Sequence, residues 1–354
     1  MPPRRRKHQK DAGNKNSNSS ESDSVQDPRL RPSKSTSSPL LRITVLAVLF
    51  GVFYYVGLGL RNITRTIPDD ALNPLNAQGS SSPASTTEYD ELELEARDAS
   101  IFRVQELPGK GMGVVAVRDI QRGELIIRER PLFVLPSQVT TSPTDLISQQ
   151  LSLLSTEDQH RFFNLSYVDI HLAVHPHLDE DDPENILEKA LAIFQTNSVT
   201  AGDGKAGIFP RMARLNHACS SAFNVVYSWR EREGVLVVYA LKDVKKGKEL
   251  LTTYTDTKRS RDQRRAYLNH QYSFHCTCDV CSLPDLESIR SDQRLMSMSE
   301  MHSRFATWGS SLIDGEEAIG LVRRIWEVGG EEGYWSERGR LAADAAWVAA
   351  AHQE

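Results

Sequence analysis

Cysteine is scarce in this sequence: its 354 residues include only Cys219, Cys276, Cys278 and Cys281. So few cysteines exclude a disulfide-dense scaffold in a chain of this length. The last three form a C-x-C-x-x-C cluster, a spacing that is typical of a zinc site, and Cys219 is left to supply a fourth ligand. Reduced cysteines, or disulfides in a luminal domain, are the alternatives, although two cysteines one residue apart form a strained disulfide at best.

An excess of positive charge is also missing. The chain carries 42 Lys and Arg against 47 Asp and Glu, a net charge of −5, so we expect no direct nucleic-acid binding. The distribution is uneven, because the first ten residues are strongly basic and residues 88–95 are acidic.

Large apolar side chains are almost absent from residues 1–38, which predicts a disordered tail. The next segment differs, since residues 43–60 run for 18 positions without a charge. This length nearly crosses a hydrocarbon core of roughly 30 Å and predicts a transmembrane helix over 39–63. A buried core helix is the alternative. A polar linker is predicted over 64–100.

Between about 101 and 256 the chain is predicted to form short strands separated by turns. The predicted strands are Val114–Val117, Leu125–Arg128, Asn224–Trp229 and Val235–Leu241. Two segments, Ala116–Gly123 and Ala240–Gly247, repeat each other and predict two similar hairpins in which each glycine supplies a positive φ. Helices are predicted within 140–200 and again after residue 284.

Three further segments carry residues that are suited to chemistry, although each is a weak signal alone. Gly111–Gly113 is a G-x-G that does not match the dinucleotide fingerprint. Asn216–Cys219 is an N-H-x-C segment that contains the fourth cysteine. Gly247–Asp256 has the sequence GKELLTTYTD and places Tyr254 near its end.

Together and in this order, these segments resemble the SET domain of protein lysine methyltransferases. The similarity extends over residues 101–284 and includes a post-SET tail at Tyr272–Cys281. Gln195–Ser198 and Gly207–Pro210 resemble the SET-and-MYND branch and its fungal relatives. The chain departs from that branch in lacking the cysteines of a MYND finger and the Pro-Asn that usually follows the N-H-x-C segment.

The resemblance implies an α+β fold: a mainly-β SET domain with a helical insert, a zinc-binding post-SET segment and a C-terminal helical, TPR-like tail. The SET and post-SET parts would occupy 101–284, with the insert at about 137–200. The helical region would occupy 285–354.

The resemblance also implies an S-adenosylmethionine-dependent protein-lysine N-methyltransferase, whose partner is a protein that presents a lysine side chain. The cofactor would bind at Lys110, Gly111, Met112, Gly113, Asn216, His217, Tyr254 and Phe274. Tyr254 would also be catalytic, helping to hold the amine about 3–3.5 Å from the methyl carbon. Zn²⁺ would be structural, because four cysteine ligands leave no open coordination position.

These features predict a single-pass membrane protein, and they leave undecided the compartment in which its SET domain lies. Basic residues before the apolar segment favour a cytosolic N-terminus, whereas a thiolate zinc site and the cofactor favour a cytosolic or nuclear SET domain. The alternative function is a catalytically inactive, membrane-tethered SET-like scaffold for protein–protein interaction. A structural zinc protein unrelated to methyl transfer is a third reading.

Overall fold

The computed structural model describes residues 97–168, 183–202 and 204–352. The predicted tail (1–38), the predicted membrane helix (39–63) and all but the last four residues of the predicted linker lie outside the described residues.

The prediction of a single-pass membrane protein requires correction. Among the described residues, no helix is both long enough and apolar enough to cross a bilayer. The structure therefore gives no support to a membrane location or to a membrane-anchoring helix.

The strands of the described chain are short and form four small sheets. They are β1 (Phe102–Leu107), β2 (Gly111–Ala116), β3 (Leu125–Glu129), β4 (Val134–Pro136), β5 (Val199–Thr200), β6 (Lys205–Gly207), β7 (Asn216–His217), β8 (Val225–Arg230), β9 (Val235–Ala240) and β10 (Leu251–Thr252). The sheets have the orders β1-β2, β3-β9-β8, β4-β6-β5 and β10-β7, and the last pair is parallel. Apolar residues that point inward from β2, β3 and β9 form the largest core cluster.

The two repeated segments pair with each other rather than forming separate hairpins. Ile120 and Val244 exchange backbone hydrogen bonds of 2.8 and 2.9 Å. The flanking contacts are reciprocal as well: Gly123 N–H donates to the Ala240 carbonyl, and Gly247 N–H donates to the Ala116 carbonyl. Gly123 and Gly247 have φ values of 83° and 82°, so each glycine supplies the predicted positive φ. This pairing joins the N-terminal strands to the strand that leads towards Tyr254.

The described residues between β4 and β5 form the helices α1 (Pro143–Leu153), α2 (Thr156–Phe163) and α3 (Pro183–Asn197). The predicted capping start is confirmed, since the Ser155 side chain accepts a hydrogen bond from Asp158 N–H at the beginning of α2. Phe162 is fully buried in a second core cluster, in which the Phe133 ring contacts those of Phe162 and Phe194.

After β10 the described chain is helical: α4 (Arg261–Tyr272), α5 (Asp285–Phe305), α6 (Gly315–Glu332) and α7 (Arg338–His352). A capping box between Ser260 and Gln263 starts α4. Helix α5 packs against α6, and α6 packs against α7. Buried residues of these helices share a cluster with Ala218 and Phe223, so the C-terminal helices support the segment that carries Cys219.

Candidate active site

Three chain segments that are distant in sequence run side by side. Leu251 of β10 pairs with Asn216 of β7, and Thr252 pairs with His217. On the other side, Leu250 N–H donates to the Val114 carbonyl of β2 at 2.8 Å. The glycine segment, the N-H-x-C segment and the strand before Tyr254 thus meet in one place.

Asn216 connects two of these segments through its side chain. Its amide Nδ2 donates to the Met112 carbonyl at 3.2 Å and to the Glu249 carboxylate at 2.9 Å. The same carboxylate pairs with Lys110 Nζ at 2.6 Å, and its side chain is only 14% exposed. Glu249 was not predicted as a site residue, because a glutamate in a G-K-E-L sequence is normally read as an exposed turn residue.

The glycine segment comes unusually close to Asn216. A Cβ at Gly113 would lie 2.4 Å from Leu107 Cδ1, 2.8 Å from Asn216 Nδ2 and 3.2 Å from Glu249 Oε1. Gly111 has open space around it but a φ of 67°, which favours glycine for conformational reasons. The two glycines are therefore required for different reasons.

His217 joins Tyr254 to the cysteines. Its Nδ1 accepts the Tyr254 backbone N–H at 2.9 Å, and its Nε2 lies 3.1 Å from the Cys219 Sγ. Because Nδ1 accepts, the neutral ring carries its proton on Nε2 and donates it towards the sulfur. Burial lowers the pKa of His217 to about 4, so the ring is neutral at pH 7.

Tyr254 lies among other rings and its hydroxyl is fixed. The hydroxyl donates to the Leu215 carbonyl at 2.8 Å. The ring centroids of His217, Tyr272 and Phe274 lie 5.4, 5.0 and 6.5 Å from that of Tyr254. Burial, assisted by the charge of Glu249, raises the pKa of Tyr254, so the phenol stays protonated. It can orient a neighbouring group but is a poor base.

Phe274 reaches this group from the end of α4. Ser273 ends the helix in the left-handed conformation with φ 54°, which turns the chain towards the cysteines. Phe274 lies 6.1 Å from His217 and 6.5 Å from Tyr272, measured between ring centroids, and is half-buried. Its position therefore depends on the loop that holds Cys276.

The four cysteines come together as predicted. Their sulfur atoms all lie within 4.8 Å of one another, and none forms a disulfide. Tetrahedral zinc with Zn–S bonds of about 2.3 Å needs sulfur atoms roughly 3.8 Å apart, so the cluster has the right size. Hydrogen bonds from the neighbouring thiols, chiefly Cys219, lower the pKa of Cys278. The donor set and its geometry fit zinc.

Two arginines of α4 support the cysteine cluster and were not predicted. Arg264 is completely buried, bonds to Asp292 at 3.0 Å and lies 4.0 Å from the Cys281 Sγ. Arg265 donates to the carbonyls of Cys276 and Cys281 at 3.1 and 2.8 Å. A buried cation beside four thiols suits a site whose ligands bind as thiolates, because it offsets their negative charge.

The turn after Cys219, which lacks the expected Pro-Asn, is stabilised by a contact with the C-terminal helices. Ser220 is buried with φ 47° and donates to Glu332 of α6 at 3.0 Å. Glu332 also accepts from Ser291 at 2.6 Å and from Arg294 at 2.8 Å. The C-terminal helices thus replace a local turn motif with a tertiary contact.

Comparisons with known proteins agree with this geometry. Residues 111–255 match the model of the SET domain family. The histone-lysine N-methyltransferase set5 of Schizosaccharomyces pombe is 32% identical over 53% of this chain and 52% of its own length. The N-lysine methyltransferase SMYD2-B of Danio rerio is 26% identical over 46% of this chain and 39% of its own length.

The histone-lysine N-methyltransferase SMYD3 of Homo sapiens is 30% identical over 23% of this chain and 18% of its own length. The chain spans about half the length, or less, of these relatives. Residues 111–255 nevertheless cover the glycine segment, the N-H-x-C segment and Tyr254. Residues 111–255 therefore match the SET domain family, and the chain is similar in sequence to the SET5 and SMYD lysine methyltransferases.

Proposed function

We propose that this protein is an S-adenosylmethionine-dependent protein-lysine N-methyltransferase. The observation that carries the proposal is the contact of three remote segments at one point: the glycine segment, Asn216–His217 and Tyr254, with the cysteine cluster directly behind them. The relatives named as lysine methyltransferases support the same activity.

The proposed cofactor site consists of Lys110, Gly111, Met112, Gly113, Asn216, His217, Tyr254 and Phe274. The backbone of the glycine segment is open enough for a ligand at Gly111 and packs closely at Gly113. Phe274 offers a half-buried ring for the adenine, and Lys110 offers a cation that is 49% exposed. When bound, S-adenosylmethionine supplies the methyl group.

The residues around Tyr254 are suited to holding a lysine side chain in its neutral form. Lysine must lose its proton before it can attack, and an apolar channel favours the neutral amine by desolvation. Tyr254 and Tyr272 present aromatic faces for the alkyl chain. Because the Tyr254 phenol stays protonated, its role is to orient the amine rather than to remove a proton. Positioning and electrostatics then supply most of the rate enhancement.

Zinc at Cys219, Cys276, Cys278 and Cys281 is part of the proposal, with a structural role. When bound, it ties the turn after β7 to the loop after α4. Through His217 and Phe274, that tie would fix the neighbours of Tyr254. The division into a SET and post-SET part at 101–284 and a TPR-like helical part at 285–354 belongs to the same proposal.

The alternative, an inactive membrane-tethered scaffold, is not supported. It predicts a membrane span, which no described helix supplies. It also leaves unexplained why Asn216, His217 and Tyr254 are held together by hydrogen bonds and strand pairing.

Transfer of radiolabelled methyl groups tests the proposal. Full-length protein is incubated with labelled S-adenosylmethionine and a cell lysate, with Tyr254→Phe as the variant and Tyr239→Phe as the control. Tyr239 lies in β9 and makes no side-chain hydrogen bond to any described residue. We expect wild type and Tyr239→Phe to label lysine in protein bands of the lysate. The amount of label should be at least about a hundredfold lower with Tyr254→Phe. Equal labelling by wild type and Tyr254→Phe would rule out the role given to Tyr254, and no labelling at all would rule out the activity.

A further inference from the structure

A second group of side chains, away from the residues of the proposed active site, has no assigned role. We call it the Arg–Trp cluster and define it as Arg122, Trp326, Trp335 and Arg338. The guanidinium carbon of Arg338 lies 3.5 Å from the ring centroid of Trp335 and 5.1 Å from that of Trp326. Arg122 approaches the Trp335 ring at 5.9 Å. The cluster joins the turn before β3, helix α6 and the start of α7.

Neither guanidinium group of the cluster has an anionic partner within the described part of the chain. No carboxylate of a described residue pairs with the guanidinium group of Arg122 or Arg338, and neither guanidinium group donates a hydrogen bond to a described residue. The Nε of Arg338 is buried without a partner. Unfilled donors on a partly buried cation are unusual in native structures and call for an explanation.

A neighbouring cation shows what a purely structural contact looks like in this protein. Lys258 stacks on Tyr334 at 5.6 Å, and its ammonium is matched by Glu337 at 2.8 Å and Asp256 at 3.3 Å. Tyr334 and Glu337 are the sequence neighbours of Trp335 and Arg338. Two carboxylates therefore neutralise the stacked Lys258, whereas no carboxylate of the described residues neutralises the stacked Arg338.

Both guanidinium groups lie beside the Trp335 ring, so their like charges disfavour this arrangement without a ligand. Burial, together with the charge of Arg122, lowers the pKa of Arg338. If the Arg–Trp cluster served only to hold α7 against α6, a second positive charge at the same ring would not stabilise it. The guanidinium group of Arg338 stacks on Trp335, and that of Arg122 lies near the same ring. Each is a planar fork of donors that matches the oxygens of a phosphate group.

We propose that the Arg–Trp cluster binds a phosphate monoester, with one dianionic phosphate group held between Arg122 and Arg338. The charge of such a group matches the two unpaired guanidinium groups. A nucleic-acid backbone fits less well, because a carboxylate borders the cluster and would repel a run of phosphates: Asp243 accepts the Arg122 backbone N–H at 2.8 Å. The ligand is therefore one phosphate group, either free or on a phosphorylated side chain.

Isothermal titration calorimetry on the full-length protein tests this site. The probes are inorganic phosphate, a short phosphoserine peptide, its unphosphorylated counterpart and an oligodeoxythymidine. The variants are Arg338→Gln and Arg122→Gln, with Arg259→Gln as the matched control, since Arg259 also stacks on a ring, that of Tyr267 at 5.8 Å. The Arg122 position is exposed, so this variant keeps the test valid if Arg338→Gln does not fold.

We expect at least one of the two phosphate-bearing probes to bind at a single site. Its affinity should fall about tenfold or more in Arg338→Gln and in Arg122→Gln, but less than twofold in Arg259→Gln. Tighter binding of the phosphopeptide than of inorganic phosphate identifies a phosphorylated protein as the source, and equal binding identifies free phosphate. The proposal is overturned if neither phosphate probe binds, if Arg259→Gln weakens binding equally, or if the oligonucleotide binds more tightly with the same dependence on Arg122.

Discussion

At the scale of single residues, the carboxylate of Glu249 organises the proposed cofactor site. It accepts hydrogen bonds from Asn216 and Lys110, which come from two different segments, and it is largely shielded from water. Composition and spacing gave no reason to select it, because its function depends on which strands run beside it. The cysteines were predictable for the opposite reason: four thiols in such a spacing have few other uses.

Glu249→Gln should weaken cofactor binding without unfolding the protein. Glutamine keeps the shape of the side chain but loses the charge that pairs with Lys110. We expect the affinity for S-adenosylmethionine, measured by calorimetry, to fall about fivefold to tenfold, because Lys110 is half exposed and its ion pair is partly screened. Glu233→Gln, which breaks an exposed pair with Arg128 at 3.2 Å, serves as the control. Equal affinities in wild type and Glu249→Gln would remove Glu249 from the site.

Gly113 offers a second test at this scale. Alanine at this position would press on Leu107 and Asn216. We expect Gly113→Ala to displace the Asn216 amide and to reduce cofactor affinity about tenfold or more. At Gly123 φ is 83°, and an added Cβ would meet no atom within 4 Å apart from its chain neighbours. Gly123→Ala should therefore lower the unfolding free energy by about 1 kcal/mol and leave cofactor binding unchanged. The assignment fails if the two variants bind the cofactor equally well.

At the scale of elements, the sequence predicted most of the longer strands and helices, but it missed β1, α4 and the shortest strands. The apolar runs at Leu125–Arg128 and Val235–Leu241 coincide with β3 and β9 to within one residue at each end. Strands β7 and β10 have two residues each, too few to show any periodicity, and yet they bring Asn216 beside Leu251. Helix α4 was missed because its sequence is dominated by polar and charged residues.

The repeat illustrates what a sequence pattern can and cannot determine. It correctly predicted two equivalent turns with glycine at a positive φ, since φ is a local property. It did not reveal that the copies pair with each other, because pairing between residues 124 positions apart depends on the whole fold. The elements of the site are therefore set locally, and their assembly is set by tertiary contacts.

At the scale of the whole described molecule, a largely buried ion network links the segment after Tyr254 to the C-terminal helices. Glu337 pairs with Lys258 and with His302, each at 2.8 Å. Burial disfavours the charge on Glu337, but the His302 hydrogen bond and the Lys258 charge outweigh it, and the pKa of Glu337 is lowered to about 2.

The network predicts a pH dependence of stability. A carboxyl whose pKa is lower in the folded state stabilises the fold above its unfolded value of 4.5 and loses that contribution as the pH falls towards 2. In urea titrations we expect Glu337→Gln to be less stable than wild type at pH 7, with the difference shrinking below pH 4.5. Glu317→Gln, which breaks an exposed pair with Arg304, should show little difference at either pH. A difference for Glu337→Gln that does not vary with pH would contradict the role of the ion network.

The proposed cofactor site depends most on the cysteine cluster, which joins the turn after β7 to the loop carrying Phe274. The most direct test measures zinc content and S-adenosylmethionine binding on the same full-length sample, before and after removal of the metal with a chelator. We predict one zinc per chain, cofactor binding that is lost on chelation, and recovery of that binding when zinc is restored. Cofactor binding of equal strength in metal-free protein, or a purified chain without zinc, would contradict the account.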